Sequence, residues 1–353
     1  MPTIPESILQ PTAAAIYAWH EKQAAKEPGR VYLGWSELGN PCGRALWYNF
    51  RMAGSKPFEG RMLRLFDTGH REEERVLQEL RAIGCEVWSK DPQTGRQFGC
   101  ESFGGHLRGH LDAVVKGLLE APKTPHLVDV KTCNTKKFSE LLKKGMKEVY
   151  PKYWVQANGY MGQFGLTRAM YIFICKDDDR IHTERFEFDE RFYMACLNRA
   201  ESIIFAQTPP EKLSQDPAYF ECKFCEHHAK CHGTASPAVT CRSCLHSTPE
   251  RDGSWTCARH QKTLTVEDQR WACQAHRYIP DVLENWAEDV DASDADNWVK
   301  YRLKTGGEFV NGQHPEGVES VEIYAAEDKA ALGMMQDDDM AALRRDFGGR
   351  IAG

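Results

Sequence analysis

Two short strand-like runs, each carrying a carboxylate, constrain this chain more than any other feature. Residues 106–115 alternate apolar and polar side chains and contain Asp112, the pattern of a half-buried strand. Residues 116–125 hold one glycine and two prolines, which predict a loop. Residues 126–131 return to strand character. Asp129 and Lys131 lie two positions apart there, on one face, because strand side chains alternate with a period of two. Such a hairpin sets Asp112 and Asp129 side by side on a small sheet, with a lysine next to them. Hard divalent cations take carboxylate oxygens, and Mg²⁺ uses only one or two of them together with water and phosphate. A lysine beside such an ion orients or deprotonates an attacking water and stabilises developing charge. The pattern predicts an acid–acid–lysine site for Mg²⁺ or Mn²⁺.

The flanking sequence predicts an α/β arrangement around that hairpin. Residues 65–83 have helical periodicity, with Leu77, Leu80 and Ile83 on one face and Gly84 as a stop. Residues 85–88 begin a sheet, and 136–145 and 150–164 read as helices. Residues 169–175 read as a buried strand, 181–188 as an alternating edge strand and 191–206 as a helix. Two more helices, 11–25 and 44–53, precede them. The elements run in the order α–β–β–β–α–β–β–α, an α/β pattern. The 150–164 helix carries Gln156 and Tyr160 one turn apart. A chain of 353 residues is expected to hold one domain of about 200 residues with appendages.

Together these residues resemble the PD-(D/E)XK nuclease superfamily, and the Gln156–Tyr160 spacing resembles its RecB-like branch. Asp112 stands at the first aspartate of the motif, with Leu111 where a proline is usual. Asp129 and Lys131 stand at (D/E)XK. Residues 66–77 resemble the first helix of the branch, with Glu73 at its metal-shell position and His70 and Glu74 close by. The resemblance covers roughly residues 30–232. It implies an α+β restriction-endonuclease-like core and catalytic roles for Glu73, Asp112, Asp129, Lys131, Gln156 and Tyr160. It also implies metal contacts from Glu73, Asp112, Asp129 and the carbonyl of Val130. The implied activity is Mg²⁺- or Mn²⁺-dependent cleavage of DNA, as an exonuclease on ends or single strands. The implied setting is phage or bacterial recombination, repair or CRISPR adaptation, with proteins of those processes as partners. The alternative is a nuclease-fold subunit that binds or recruits DNA without cutting it.

The chain has 13 cysteines and no recognisable secretory signal, so clustered thiols point to metal rather than to disulfides. Cys85, Cys100, Cys133, Cys175 and Cys196 are scattered through apolar segments and read as small core residues. Cys222, Cys225 and Cys231 form one tight group, one thiolate short of a cubane's set. Residues 36–48, with Cys42 and Arg44, resemble the start of iron–sulfur RecB-like nucleases, a group that includes CRISPR-associated exonucleases and the nuclease domain of AddB. That resemblance implies a [4Fe–4S] cluster on Cys42, Cys222, Cys225 and Cys231. Zinc is the alternative there, with His227 and His228 as further ligands. Cys241, Cys244, Cys257 and Cys273 form a second group around a predicted hairpin with an Asp252–Gly253 turn. A small zinc ribbon is expected, with His260 or His276 as substitute ligands. A second iron–sulfur cluster also fits the spacing.

The expected divisions are 1–235 for the nuclease domain, 236–282 for the cysteine module and 283–353 for an acidic tail. Residues 281–353 hold 17 acidic and 7 basic side chains, a net of −10, whereas the whole chain is −6. The remaining body is therefore +4, which suits a polyanion such as DNA. Lys143, Lys144, Lys147 and Lys152 form its basic run. Trp35, Trp47 and Trp154 are candidates for stacking on unpaired bases or for core packing. The tail is expected to be disordered or an acidic interaction segment. No apolar run approaches the roughly 18 residues of a membrane span, and a cytoplasmic location is expected.

Overall fold

The computed structural model describes residues 10–54, 57–312, 317–334 and 337–347. It is a mixed α/β structure with four sheets among the described residues. In chain order, helix α1 (Pro11–Ala24) is followed by strand β1 (Leu33–Gly34) and helices α2 (Gly43–Phe50) and α3 (Gly60–Ala82). Strands β2 (Glu86–Trp88), β3 (Gly99–Ser102), β4 (Leu107–His110), β5 (Ala113–Lys116) and β6 (His126–Cys133) come next. Helices α4 (Thr135–Lys144) and α5 (Pro151–Phe164) lead to β7 (Arg168–Cys175), β8 (Ile181–Glu187) and helix α6 (Glu190–Ile204). Two compact units result. One comprises Met1–Gly39, Pro57–Ser102 and Leu107–Arg199, and the other Asn40–Lys56, Phe103–His106 and Ala200–Gly353.

The first unit is organised by a five-stranded sheet of order β2-β5-β6-β7-β8. β5 and β6 are antiparallel, β6 and β7 parallel, and β7 and β8 antiparallel. The parallel step needs a crossover, which α4 and α5 supply. Val76, Leu77 and Leu80 form the buried stripe of α3. They share a core with Ala113, Val115, Val128, Val130, Met170, Ile172 and Ile174 from one face of the sheet. Each such side chain contributes about 1.5–3 kcal/mol when removed from water. β7 is buried on both faces, as a central strand with a parallel neighbour should be. α5 starts on Pro151, whose fixed φ suits a first helical turn, and ends at Gly165 with φ +65°, a left-handed cap that glycine adopts without strain.

The second unit contains the cysteine-rich segments. Strands β9 (Ser247–Pro249), β10 (Trp255–Cys257) and β11 (Lys262–Thr263) form a small antiparallel sheet, with the Asp252–Gly253 turn between β9 and β10. Strands β12 (Ala287–Ser293), β13 (Trp298–Leu303), β14 (Glu308–Gly312) and β15 (Gly317–Val318) form another in that order. Among the described residues no helix is long and apolar enough to cross a membrane.

Three expectations need correction. Residues 106–115 are not one strand: the chain leaves the β1-β4-β3 sheet after His110 and enters the five-stranded sheet at Ala113. The break falls at Leu111–Asp112, where the Leu111 N–H bonds Phe98 O and the Asp112 carboxylate takes the Val130 N–H. The acidic tail is folded into strands β12 to β15 among its described residues. Val299, Tyr301 and Leu303 alternate inward on β13, and Tyr301 and Phe309 stack at 5.1 Å with Trp286 against Phe309 at 5.9 Å. Its acids Glu288, Asp289 and Asp291 sit exposed on β12, an edge strand. Trp35 and Trp47 are fully buried core residues and cannot stack on bases. Trp154 is partly buried, packed edge-on to Phe186.

The expected divisions after 235 and 282 both fall inside the second unit. The cysteine segment has no core of its own. The guanidiniums of Arg51 and Arg242 lie 5.1 and 4.5 Å from its Trp255 ring, which packs on Phe50 at the end of α2.

Candidate active site and cysteine clusters

Strand alternation builds the site in the first unit. Val128 and Val130 point into the core under α3, so Asp129 and Lys131 point the other way, where the Lys131 Nζ lies 5.2 Å from the Tyr153 ring of α5. Asp112 ends the sheet switch opposite them, and its Oδ2 accepts the Val130 N–H at 3.3 Å. Glu73 sits one turn before Val76 and Leu77 on α3, half-buried, within electrostatic reach of Asp129, Lys131 and Asp112. His70 and Glu74 are exposed. Gln156 and Tyr160, one turn apart on α5, are both buried, and Gln156 Nε2 donates to the Tyr160 hydroxyl at 3.4 Å. Gly109 of β4 makes room for that tyrosine: a Cβ there would run into the Tyr160 ring.

Lys131 Nζ lies 2.5 Å from Asp129 Oδ1. Asp129 is 1 % exposed, so this carboxylate is buried with the Lys131 ammonium as its close partner. Burial pushes the Asp129 carboxyl up to about 7, against the opposing pull of Lys131 and with help from Asp112. Asp112 is also raised, by burial first; Lys131 opposes the shift and Glu73 adds to it. Glu73 is raised by burial and by Asp129. Burial alone would lower Lys131, but Asp129 and Asp112 outweigh it and hold the ammonium above its usual range. Three carboxyls thus crowd one lysine, with too little positive charge to settle them. That donor set suits a hard divalent cation: oxygen ligands, and mutual repulsion that a dication relieves.

The sequence reading missed Tyr153 and Tyr171. Tyr171 stands beside Asp129 in the β6–β7 register, and its hydroxyl donates to Tyr153 O at 3.3 Å. The aromatic character of 150–173 gave a signal, but only the parallel register brings these rings beside the acids.

In the second unit, Cys42 caps α2, where its sulfur accepts the Ala45 N–H at 3.4 Å. The Cys42 charge is felt at Cys222, Cys225 and Cys231, so the four thiols lie within electrostatic reach of one another. His227 is bonded to Asn49 at 2.6 Å and His228 to Pro217 O at 3.1 Å, so both imidazoles are already engaged. Cys241, Cys244, Cys257 and Cys273 line one cavity of about 450 Å³. Burial and the neighbouring thiols push Cys241 up to about 12, and burial foremost pushes Cys244 up to about 11. All 13 cysteines are free thiols. Among the described residues, no three or more His, Cys, Asp or Glu side chains are grouped so as to hold a metal ion as they stand. Cys85, Cys133, Cys175 and Cys196 are buried as expected of core residues, whereas Cys100 is partly exposed.

No family model and no curated protein matches the chain. Solved structures resemble it loosely. SSO0001 shows 16% identity and a TM-score of 0.38 over 64% of this chain and 97% of that one. The alkaline exonuclease LHK-Exo from Laribacter hongkongensis shows 16% identity and 0.33 over 49% and 85%. A phage related exonuclease from Haemophilus somnus 129PT shows 13% identity and 0.31 over 50% and 92%. Likeness this loose does not decide what the chain does; the site has to do that.

Proposed function

We propose that this chain is a divalent-metal-dependent nuclease that hydrolyses DNA, acting as an exonuclease on ends or single strands. The observation that carries the reading is the convergence of Glu73, Asp112, Asp129 and Lys131 at one place on the mixed sheet, with a buried Asp129 carboxylate against the Lys131 ammonium. Glu73, Asp112, Asp129 and the Val130 carbonyl would hold Mg²⁺ or Mn²⁺. When bound, such an ion polarises a phosphoryl oxygen and makes a water more acidic. Lys131, anchored by Asp129, would orient that water and offset negative charge developing on phosphorus. Gln156 and Tyr160 would position Lys131 or a phosphate oxygen from the α5 side. The basic run at Lys143, Lys144, Lys147 and Lys152 would track the backbone.

The test is digestion of end-labelled linear DNA and closed circular DNA with Mg²⁺, Mn²⁺ or EDTA. Metal-dependent release of label from linear DNA, abolished in Asp112→Ala, is expected. Equal cutting by Asp112→Ala and wild type would show that another protein does the work. Cutting of the circle at the linear rate would replace the exonuclease by an endonuclease.

The same reading extends to a [4Fe–4S] cluster on Cys42, Cys222, Cys225 and Cys231. Four thiols in mutual electrostatic reach support it, as do the engaged side chains of His227 and His228. Anaerobically purified protein should be brown with about four iron per chain, and Cys42→Ala should bleach it. Zinc without iron under those conditions would overturn the cluster.

A further inference from the structure

The cysteine segment of the second unit is used by neither the acid–lysine site nor the proposed cluster, yet it sets four thiols around one cavity. We propose that Cys241, Cys244, Cys257 and Cys273 bind one zinc ion as a tetrathiolate site, and that this ion holds the β9–β11 ribbon and the β12–β15 sheet in one folded unit.

Convergence is the first support. The four sulfurs arrive from three separate stretches of chain and line a single cavity. Cys241 and Cys244 flank one short turn, Cys257 ends β10, and Cys273 follows the Val266–Arg270 helix. The Cys241 N–H bonds Trp271 O at 2.9 Å, tying the turn to the loop that carries Cys273. Backbone N–H groups of His246 and Arg277 are directed at the Cys244 sulfur.

Of the histidines that line the cavity, His246 pairs through Nε2 with Asn297 at 2.7 Å, and His276 through Nε2 with Ser243 at 3.2 Å. His260 Nε2 lies 3.3 Å from the Cys273 sulfur. The four thiols by themselves supply a set that suits a borderline-soft dication in a closed tetrahedral site.

The wiring gives the ion its role. The ribbon's interior is little more than Trp255 and Leu264, too small to fold on hydrophobic burial alone. Cys244 pairs with Tyr278 in an isolated bridge, and Leu245 N bonds Arg277 O at 3.0 Å. Arg277 Nε then reaches Asn297 O at 2.6 Å, and Tyr278 N reaches Asn311 Oδ1 at 3.2 Å, next to β13 and within β14. The thiol cluster is therefore one hydrogen bond removed from the acidic sheet.

The experiment is zinc and iron analysis of the full-length protein and of three variants, Cys257→Ser, Cys225→Ser and His260→Ala. One zinc per chain is expected in wild type, kept in Cys225→Ser and His260→Ala and lost from Cys257→Ser. Retention in Cys257→Ser, loss from Cys225→Ser, or iron that follows Cys257 would each overturn the assignment. Loss from His260→Ala would overturn the all-thiolate set. If Cys257→Ser does not fold, zinc-edge absorption on the wild-type chain reads the shell directly. Four sulfurs at about 2.3 Å are expected, and a nitrogen or oxygen neighbour of the zinc would overturn the proposal. Metal content does not depend on DNA cleavage, so the two readings fail separately.

Discussion

The two units place reactive side chains by opposite means. In the first, Asp129 and Lys131 sit in the middle of an eight-residue strand hydrogen-bonded on both sides, and Glu73 sits on a 23-residue helix with a packed stripe. Removing a side chain there leaves the backbone in place. In the second, the thiols sit on turns, strand ends and loops, with Trp255 and two buried arginines as the main packing. Site and fold are separable in the first unit and interdependent in the second. This follows from core size: a five-stranded sheet under a long helix buries enough apolar surface to hold its shape, and a three-stranded ribbon does not.

The largest expected effect would break that contrast if it failed. Asp112→Ala and Lys131→Ala should each cut the nuclease rate on the order of 100-fold or more, with circular dichroism unchanged. Near-wild-type cleavage by Lys131→Ala would remove the lysine from the site. Unfolding of Asp112→Ala would show that site and fold are coupled there after all.

Next in size is removal of metal from the second unit. A strong thiol-competing chelator should make residues 287–318 cleavable by protease, while the five-stranded sheet of the first unit stays protected. Uniform protection with all zinc removed would show that the ribbon holds itself together. Trp255→Ala tests the packing half of the same idea. It should cost about 3–5 kcal/mol of stability in the second unit, measured as the shift of its unfolding transition. A change below about 1 kcal/mol would mean that the arginine contacts contribute little.

Truncation after about Asp291 sharpens the contrast further. Removing an acidic tail would be expected to tighten DNA binding at low salt, where charge is least screened. The structure changes that expectation, because the cut strips β13 and β14 from Trp286. Unfolding of the second unit is the outcome now expected. A folded, soluble truncated chain with tighter DNA binding at low salt would restore autoinhibition by the acids.

The smallest effect concerns Gly109. Gly109→Ala should displace Tyr160 and cost about 1–3 kcal/mol through overpacking, with a moderate loss of rate. Gly109→Ala with Tyr160→Phe should recover little, because the clash is with the ring rather than with the hydroxyl alone. Full recovery would place the hydroxyl, not the ring, in the tight contact.

Most of the first unit was legible because its signals are local. Period-two alternation set the faces of β6, helical periodicity found α3, and Pro151 and Gly165 bracket α5. The candidate acids and lysine were legible for the same reason: strand parity alone fixes that Asp129 and Lys131 share a face. The sequence also carried the cysteine spacing and the Asp252–Gly253 turn. Three things were decided only by contacts between distant segments. The run from 106 to 115 breaks at Asp112 because the Val130 N–H, 18 residues away, offers that carboxylate a partner. The acidic segment folds because β13 finds β14 and buries Tyr301 and Phe309, a pairing that composition hides behind the exposed acids of β12. His246 and His276 bond through Nε2 to Asn297 and Ser243, which no spacing of residues along the chain could show. Local periodicity is written residue by residue, whereas hydrogen-bond partners and shared cores form only when the chain closes on itself.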